Sequence, residues 1–271
     1  MILFPPCKIN IGLHVLHKRN DGYHAIDSLM YPVSICDILE VIKSETFEFT
    51  NSGITIPGDG QMNICIKAFH LMQKEYAISP IKIHLHKVIP MGGGLGGGSS
   101  DGTYTLRAIN DLFNLDLTVE RLQELAAQLG SDCPFFVKAL PQVATGRGEV
   151  LSAVNFSLQG MYLYMLNVGI HVSTAQAFSK VAFYKKQEKI SELIKNPFDQ
   201  IKDELINSFE SSVFDSYPIL HEIKSIFFEK GAVYAAMSGS GSTMYGIFKT
   251  RPEKGMFKNF DLFFEEIVLL S

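Results

Sequence analysis

From Lys8 to His17 apolar and polar residues alternate, and Ile9, Ile11, Leu13 and Val15 fall on one face, the period-two pattern of a strand. Asn20-Asp21-Gly22 supplies a hairpin-type turn. Tyr23 to Val33 and Asp37 to Lys43 continue the sheet, and a further strand is expected over Phe47 to Thr50. The period changes between Gln61 and Tyr76, where Cys65, Phe69, Met72 and Tyr76 recur at helical spacing. Ile81 to Val88 returns to strict alternation and runs straight into PMGGGLGGGSSDG. Beyond that glycine-rich stretch, Leu106, Ile109, Leu112 and Phe113 mark one helix. Val119, Leu122, Leu125, Ala126 and Leu129 mark a second, stopped by Gly130. The segment SDCPFFV opens a third, with Ser131 or Asp132 as N-cap and Pro134 in the first turn.

From about residue 151 the pattern restarts with strands over Met161 to Val168, helices from Thr174 to Lys185 and beyond, and a glycine turn, MSGSGSTMYGIF, that leads into a strand. Leu151 to Ser179 carries no Asp, Glu, Lys or Arg. Asn155, Ser157, Gln159, Asn167 and His171 interrupt it, so buried strands are expected there rather than a membrane helix. No internal repeat or low-complexity linker is visible. The chain therefore reads as an α+β protein in two halves, 1–150 and 151–271.

Composition narrows the function. With 28 acidic and 24 basic residues the formal net charge is −4, too even a balance for a polyanion-wrapping surface, so no nucleic acid partner is expected. Hydrophobic residues at 46% and charged ones at 19% are the profile of a folded globular chain. Cys7, Cys36, Cys65 and Cys133 form no CxxC pair, which speaks against a zinc or redox motif, and their low density suits a reducing compartment. The opening MILFPPCKIN lacks the features of a secretion signal, and a cytoplasmic location is the expectation.

The chemistry is concentrated at Pro90-Met91-Gly92-Gly93-Gly94-Leu95-Gly96-Gly97-Gly98-Ser99-Ser100, between a strand and a helix. Without Cβ atoms, backbone N–H groups can turn inward together and close on an anion, and the helix that follows adds unpaired N–H groups and the positive end of its dipole. Ser99 and Ser100 can add hydroxyl hydrogen bonds to phosphate or to metal-bound water. A flexible turn would not need such a run, because glycine loses the most entropy on ordering. Gly92, Gly94 and Gly97 match GxGxxG, yet Asp116, at the right distance for a dinucleotide fold, runs directly into another helix. A GxxxxGK[ST] element is also missing. The Rossmann and P-loop readings both fail on context.

The loop resembles the phosphate-binding motif of the GHMP kinases, the family of galactokinase, homoserine kinase and mevalonate kinase. Cys7-Lys8-Ile9-Asn10, Asp21-Gly22-Tyr23-His24 and Gly130-Ser131-Asp132-Cys133-Pro134-Phe135 are similar to members whose acceptor alcohol carries a cytidine diphosphate, and MSGSGST at 237–243 is similar to the family's third glycine motif. The resemblance spans essentially the whole chain. It implies a two-domain GHMP fold with the active site in the cleft between the domains. It also implies ATP with Mg²⁺, the metal held by phosphates and water with no protein ligand assigned, and a small cytidine diphosphate substrate. No membrane partner is expected.

The resemblance assigns Asp132 as the general base and Lys8 as its cationic partner. On the residues alone, Asp132 would be an ordinary helix cap and Lys8 a solvated strand lysine. It implies further that Tyr23 stacks on cytosine, His24 bonds its edge, Phe178 covers the opposite face, and Asn10 bonds the substrate near the reacting end. Asn63 and Lys87 resemble adenine-pocket positions. Cys7 departs from the family's usual alanine, and a buried, inert thiol is expected there. Two rivals are weighed. A GHMP kinase for a sugar, homoserine or mevalonate-type alcohol has no base for Tyr23 and His24 to hold, and a silent nucleotide-binding regulator needs neither Lys8 nor Asp132.

Overall fold

The computed structural model describes residues 1–56, 63–186 and 188–270. In chain order the elements are β1 (Ile2–Leu3), β2 (Pro6–Lys18), β3 (His24–Cys36), β4 (Ile38–Lys43), β5 (Glu48–Gly53), α1 (Ile64–Tyr76), β6 (Ile81–Lys87), α2 (Gly97–Phe113), α3 (Val119–Leu129) and α4 (Phe135–Lys138). There follow β7 (Gln142–Gly146), β8 (Val150–Ala153), β9 (Tyr162–Asn167), α5 (Thr174–Ser179), α6 (Ile190–Leu193), α7 (Phe198–Ile201), α8 (Glu210–Ser216), α9 (Pro218–Glu229), β10 (Tyr234–Met237), β11 (Met244–Phe248) and β12 (Phe264–Leu269). The chain divides into two compact units. One comprises Met1–Lys8, Pro32–Met91 and Gly96–Leu140; the other comprises Ile9–Tyr31, Gly92–Leu95 and Pro141–Ser271.

In the first unit a four-stranded sheet runs in the order β1-β4-β6-β5, with β4 and β6 antiparallel and β5 parallel to β6. Its alternating Leu39, Val41, Ile81, Ile83 and Leu85 bury one face against Phe69 and Met72 of α1, Leu106 and Ile109 of α2, and Leu122 and Leu125 of α3. Each such side chain, taken fully out of water, contributes about 1.5–3 kcal/mol. Helix α1 starts at Ile64 because the Asn63 side chain accepts from the Cys65 N–H at 2.8 Å. Gln61 and Met62, at the start of the expected helix, lie outside the described residues. Thr118 caps α3 in the same way.

Neither Ser131 nor Asp132 caps α4, contrary to the expectation; Pro134 occupies that position with no side-chain cap. The residues before it form a tight turn instead, with the Cys133 N–H on the Gly130 carbonyl at 3.2 Å. Thr103 of α2 fastens this turn by donating to the Cys133 carbonyl at 2.8 Å.

The second unit contains the sheets β2-β3-β7-β8 and β10-β11-β9-β12. Strand β9 lies between β11 and β12, and Leu163, Tyr164, Met165 and Leu166 are fully buried, which accounts for the missing charges in that stretch. Leu220, Ile223 and Phe227 of α9 join its core. Helices follow from Thr174 onward as expected, but the first stops at Ser179 and the next begins only at Ile190. Between them Tyr184 donates its N–H to the Val15 carbonyl at 2.8 Å and stacks on His14 at 3.6 Å, so pairing with a strand edge overrides local helix propensity. Among the described residues no helix is long and apolar enough to cross a membrane.

Candidate active site

In the first unit the start of α2, Lys8 and Asp132 come together. Gly96 caps α2 with φ of 69°, a left-handed conformation that glycine adopts without strain. A Cβ there would stand 2.9 Å from Phe136 Cζ and 3.2 Å from Lys8 Cε, so the lysine stem passes directly against this residue. Lys8 is 3% exposed, and its Nζ reaches Asp132 Oδ2 at 3.6 Å; the Asp132 side chain is 36% exposed. A half-open carboxylate beside a sheltered ammonium can accept a proton while the cation faces developing negative charge.

The first turn of α2 leaves N–H groups without intrahelical partners. Ser100 Oγ is buried and meets no partner among the described residues. A side chain at Gly98 would meet nothing within 4 Å, so this part of the turn is open to a ligand. The adjacent Cys7 is fully buried with Sγ toward the Val33 carbonyl, and burial pushes its thiol far above the ordinary value, as expected of an inert cysteine. Cys133 is likewise pushed up to about 11 by burial.

Lys87 lies under the same turn. Its Nζ stands 3.2 Å from where a Cβ on Gly97 would be. It donates to Asp101 Oδ2 at 2.8 Å and to Asp37 Oδ2. The other oxygen of Asp37 accepts from the Val88 N–H at 2.6 Å and the Ile89 N–H at 2.9 Å. All three charged side chains are 2% exposed or less. Burial works against the ammonium, but Asp101 and Asp37 together hold its pKa above the usual lysine value. Burial pushes the Asp101 carboxyl well above the usual carboxylate range despite the pull of Lys87. Removing one partner from a buried ion pair costs about 3–5 kcal/mol. Asn63, which caps α1, neighbours Ile64, whose side chain packs so closely on α2 that a Cβ at Gly102 would lie 2.7 Å from it.

The second unit carries the other candidates. Asn10 is buried and donates from Nδ2 to Ser28 Oγ at 2.8 Å, and its carbonyl accepts from the Tyr245 hydroxyl at 2.6 Å. Gly92–Leu95 is held by the C-terminal glycine turn: Ser238 Oγ donates to the Gly94 carbonyl at 2.8 Å and the Thr243 N–H to the Gly93 carbonyl at 3.1 Å. A Cβ at Gly94 would lie 1.9 Å from the Ser238 carbonyl oxygen, so only glycine fits. Tyr23 is 57% exposed at the hairpin turn, its N–H on Asp21 Oδ1 and the Arg147 guanidinium 4.8 Å from its ring centre. His24 and Phe178 stack on each other at 4.6 Å and 18°. Phe178 also packs nearly perpendicular to Phe209, with ring centres 4.7 Å apart.

Asp101 and Ser238 lie within the glycine motifs read from the sequence, which gave them no individual role; Asp37, Thr103 and Arg147 were missed. Asp101 and Thr103 follow the glycine loop directly. Asp37 is 50 positions from its partner Lys87, a pairing that no local pattern signals.

Residues 63–139 match the model for the GHMP kinases N terminal domain, and residues 189–256 match that for the GHMP kinases C terminal. The chain is 44% identical over 254 residues to the 4-diphosphocytidyl-2-C-methyl-D-erythritol kinase of Cytophaga hutchinsonii, covering 93% of this chain and 94% of that one. It is 42% identical to the protein of the same name from Bacteroides fragilis, covering 95% of each. A solved 4-(cytidine 5'-diphospho)-2C-methyl-D-erythritol kinase superposes with a TM-score of 0.77 at 30% identity, covering 91% of this chain and 90% of that one. A strand, a glycine-rich turn and a helix start beside an Asp–Lys pair, with these matches, define a GHMP kinase, a phosphotransferase with an alcohol as acceptor. Within that class the chain belongs to the 4-diphosphocytidyl-2-C-methyl-D-erythritol kinase family.

Proposed function

We propose that this chain transfers the γ-phosphoryl group of ATP to the 2-hydroxyl of 4-diphosphocytidyl-2-C-methyl-D-erythritol, a step of non-mevalonate isoprenoid precursor synthesis. The observation that carries this reading is Lys8 Nζ at 3.6 Å from Asp132, with the lysine stem against the cap of α2. Asp132 takes the hydroxyl proton as oxygen attacks the γ-phosphorus, and the bond to the β–γ bridging oxygen breaks to release ADP. Lys8 stabilises charge on the phosphoryl group in flight, and backbone N–H groups within 91–99 with the α2 dipole hold the remaining phosphates.

The orphaned Ser100 hydroxyl fits a magnesium–nucleotide complex, since it can donate to a phosphate oxygen or to metal-bound water. Magnesium supplies neutralisation of phosphate charge. Phosphates and water would hold it, with Ser99 or Ser100 alongside and no protein ligand assigned. Asn63 and Lys87 belong to the nucleotide side. Tyr23 offers the exposed ring on which cytosine stacks, His24 bonds its edge, Phe178 flanks the base, and Asn10 serves the reacting end. Two domains along the chain are supported by family matches at 63–139 and 189–256, while the compact units draw residues 9–31 and 92–95 of the first half into the second unit.

The test is ATP-dependent phosphorylation of the cytidine substrate, set beside mevalonate, homoserine and galactose. Turnover of the cytidine substrate alone is expected. Faster turnover of any other acceptor would overturn the substrate assignment.

A further inference from the structure

The triad of Lys87, Asp37 and Asp101 is not needed to bury apolar surface. As a device for stability alone it is a poor one, because buried ion pairs replaced by apolar side chains of similar volume often leave stability unchanged or raised. What it does achieve is connection. Asp37 grips the backbone N–H groups of Val88 and Ile89, where β6 ends and the glycine loop begins. Asp101 belongs to the second turn of α2, just past the loop. Lys87 links the two carboxylates from directly beneath Gly97. Satisfied buried polar networks of this kind rigidify and specify one arrangement.

We propose that Lys87, acting through Asp37 and Asp101, is a positioning residue for the phosphate donor. It fixes the entry and exit of the glycine loop at the spacing the triphosphate requires, without touching the nucleotide. This rests on reading the loop as the ATP site. Misplacement of about 1 Å by a change away from the chemistry can cost roughly 10²-fold in rate, so loosening this tie is enough to weaken use of ATP.

Two substitutions at Asp101 test the proposal while leaving the Lys87–Asp37 pair intact. Asp101→Leu removes the acceptor in a side chain of similar shape. It is expected to raise KM for ATP about 10- to 100-fold, with KM for the acceptor unchanged. Asp101→Asn keeps an oxygen for the ammonium and is expected to stay within a few-fold of the unsubstituted enzyme. A folded Asp101→Leu protein with a lower Tm and an unchanged ATP constant would overturn the proposal and leave the triad a purely structural role.

Gly98→Ala, measured alongside, separates this failure from that of the underlying reading. If Gly98→Ala weakens ATP and Asp101→Leu does not, only the positioning role falls. If neither weakens it, the loop is not the phosphate site. Should Asp101→Leu fail to fold, hydrogen exchange on the unsubstituted protein decides. Coupling is reciprocal, so a bound ATP analogue must slow exchange at the Val88 and Ile89 amides. Unchanged exchange at both would overturn the proposal.

Discussion

The two units expose their candidate residues to opposite degrees. In the first, charge is taken out of water and locked: Lys8 is 3% exposed, and Lys87, Asp37 and Asp101 are more buried still. In the second, Tyr23 is 57% exposed on a hairpin turn, bordered by surface ion pairs such as Arg19–Asp21, which contribute little stability. Phosphoryl transfer demands groups fixed before the substrate arrives, because catalysis comes from electrostatic preorganisation. A base is held well enough by one aromatic face, and an exposed ring can be kept without strain on the core. Substitutions in the first unit should therefore disturb rate, and often stability. Those around Tyr23 should disturb acceptor affinity alone.

The largest effect belongs to Asp132→Asn. Turnover should fall by about 10²–10⁴, the usual contribution of a general base, while ATP affinity stays within a few-fold. The side chain is partly exposed and caps no helix, so Tm should hardly change. Near wild-type kcat in a steady-state assay would remove Asp132 from the chemistry.

Lys8→Ala should also lower kcat strongly, and Lys8→Arg should rescue it poorly. The stem runs close against Gly96, and a wider planar fork does not replace a compact ammonium beside Asp132. Equal rates for the lysine and arginine proteins would mean that diffuse positive charge suffices.

The smallest effect sharpens the contrast in stability. His14 of the second unit is fully buried, Nδ1 meets no partner among the described residues, and burial lowers its pKa. Below the ordinary histidine value of about 6.5 the unfolded chain binds the proton more readily, so stability falls as pH drops through that value and is fully present above it. His14→Phe keeps a ring for Tyr184 to stack on and removes the titration. Its Tm should therefore decline less steeply between pH 7 and pH 5, and parallel declines would assign the acid sensitivity elsewhere.

Local pattern revealed the parts of the fold that local physics controls. The alternation of Ile9, Ile11, Leu13 and Val15 matches β2, and the apolar spacing of Val119 to Leu129 matches α3 with its stop at Gly130. The glycine loop between β6 and α2 stood out because its composition is costly without a reason in close approach. What stayed hidden depends on distant partners. The Asp132 turn is fastened by Thr103, and the helix after Thr174 ends early because Tyr184 pairs with Val15. The close fit of Gly94 on Ser238 joins segments 144 positions apart, and the parallel β5–β6 pairing is likewise set by tertiary contact. Of the candidate site, the glycine-rich stretch stood out in the chain, but Asp37 and the burial of Lys87 between two carboxylates did not.

The division of labour is tested most directly by calorimetric dissociation constants for ATP and for the cytidine substrate on Gly98→Ala and Tyr23→Ala. Alanine at Gly98 touches nothing within 4 Å and suits a helix better than glycine, so Tm should hold or rise while ATP binding weakens and acceptor binding does not. Tyr23→Ala should weaken the acceptor by about 1–3 kcal/mol, roughly 5- to 150-fold, and leave ATP unchanged. A folded Tyr23→Ala protein that binds the cytidine substrate normally, or a Gly98→Ala protein that binds ATP normally, would contradict the account.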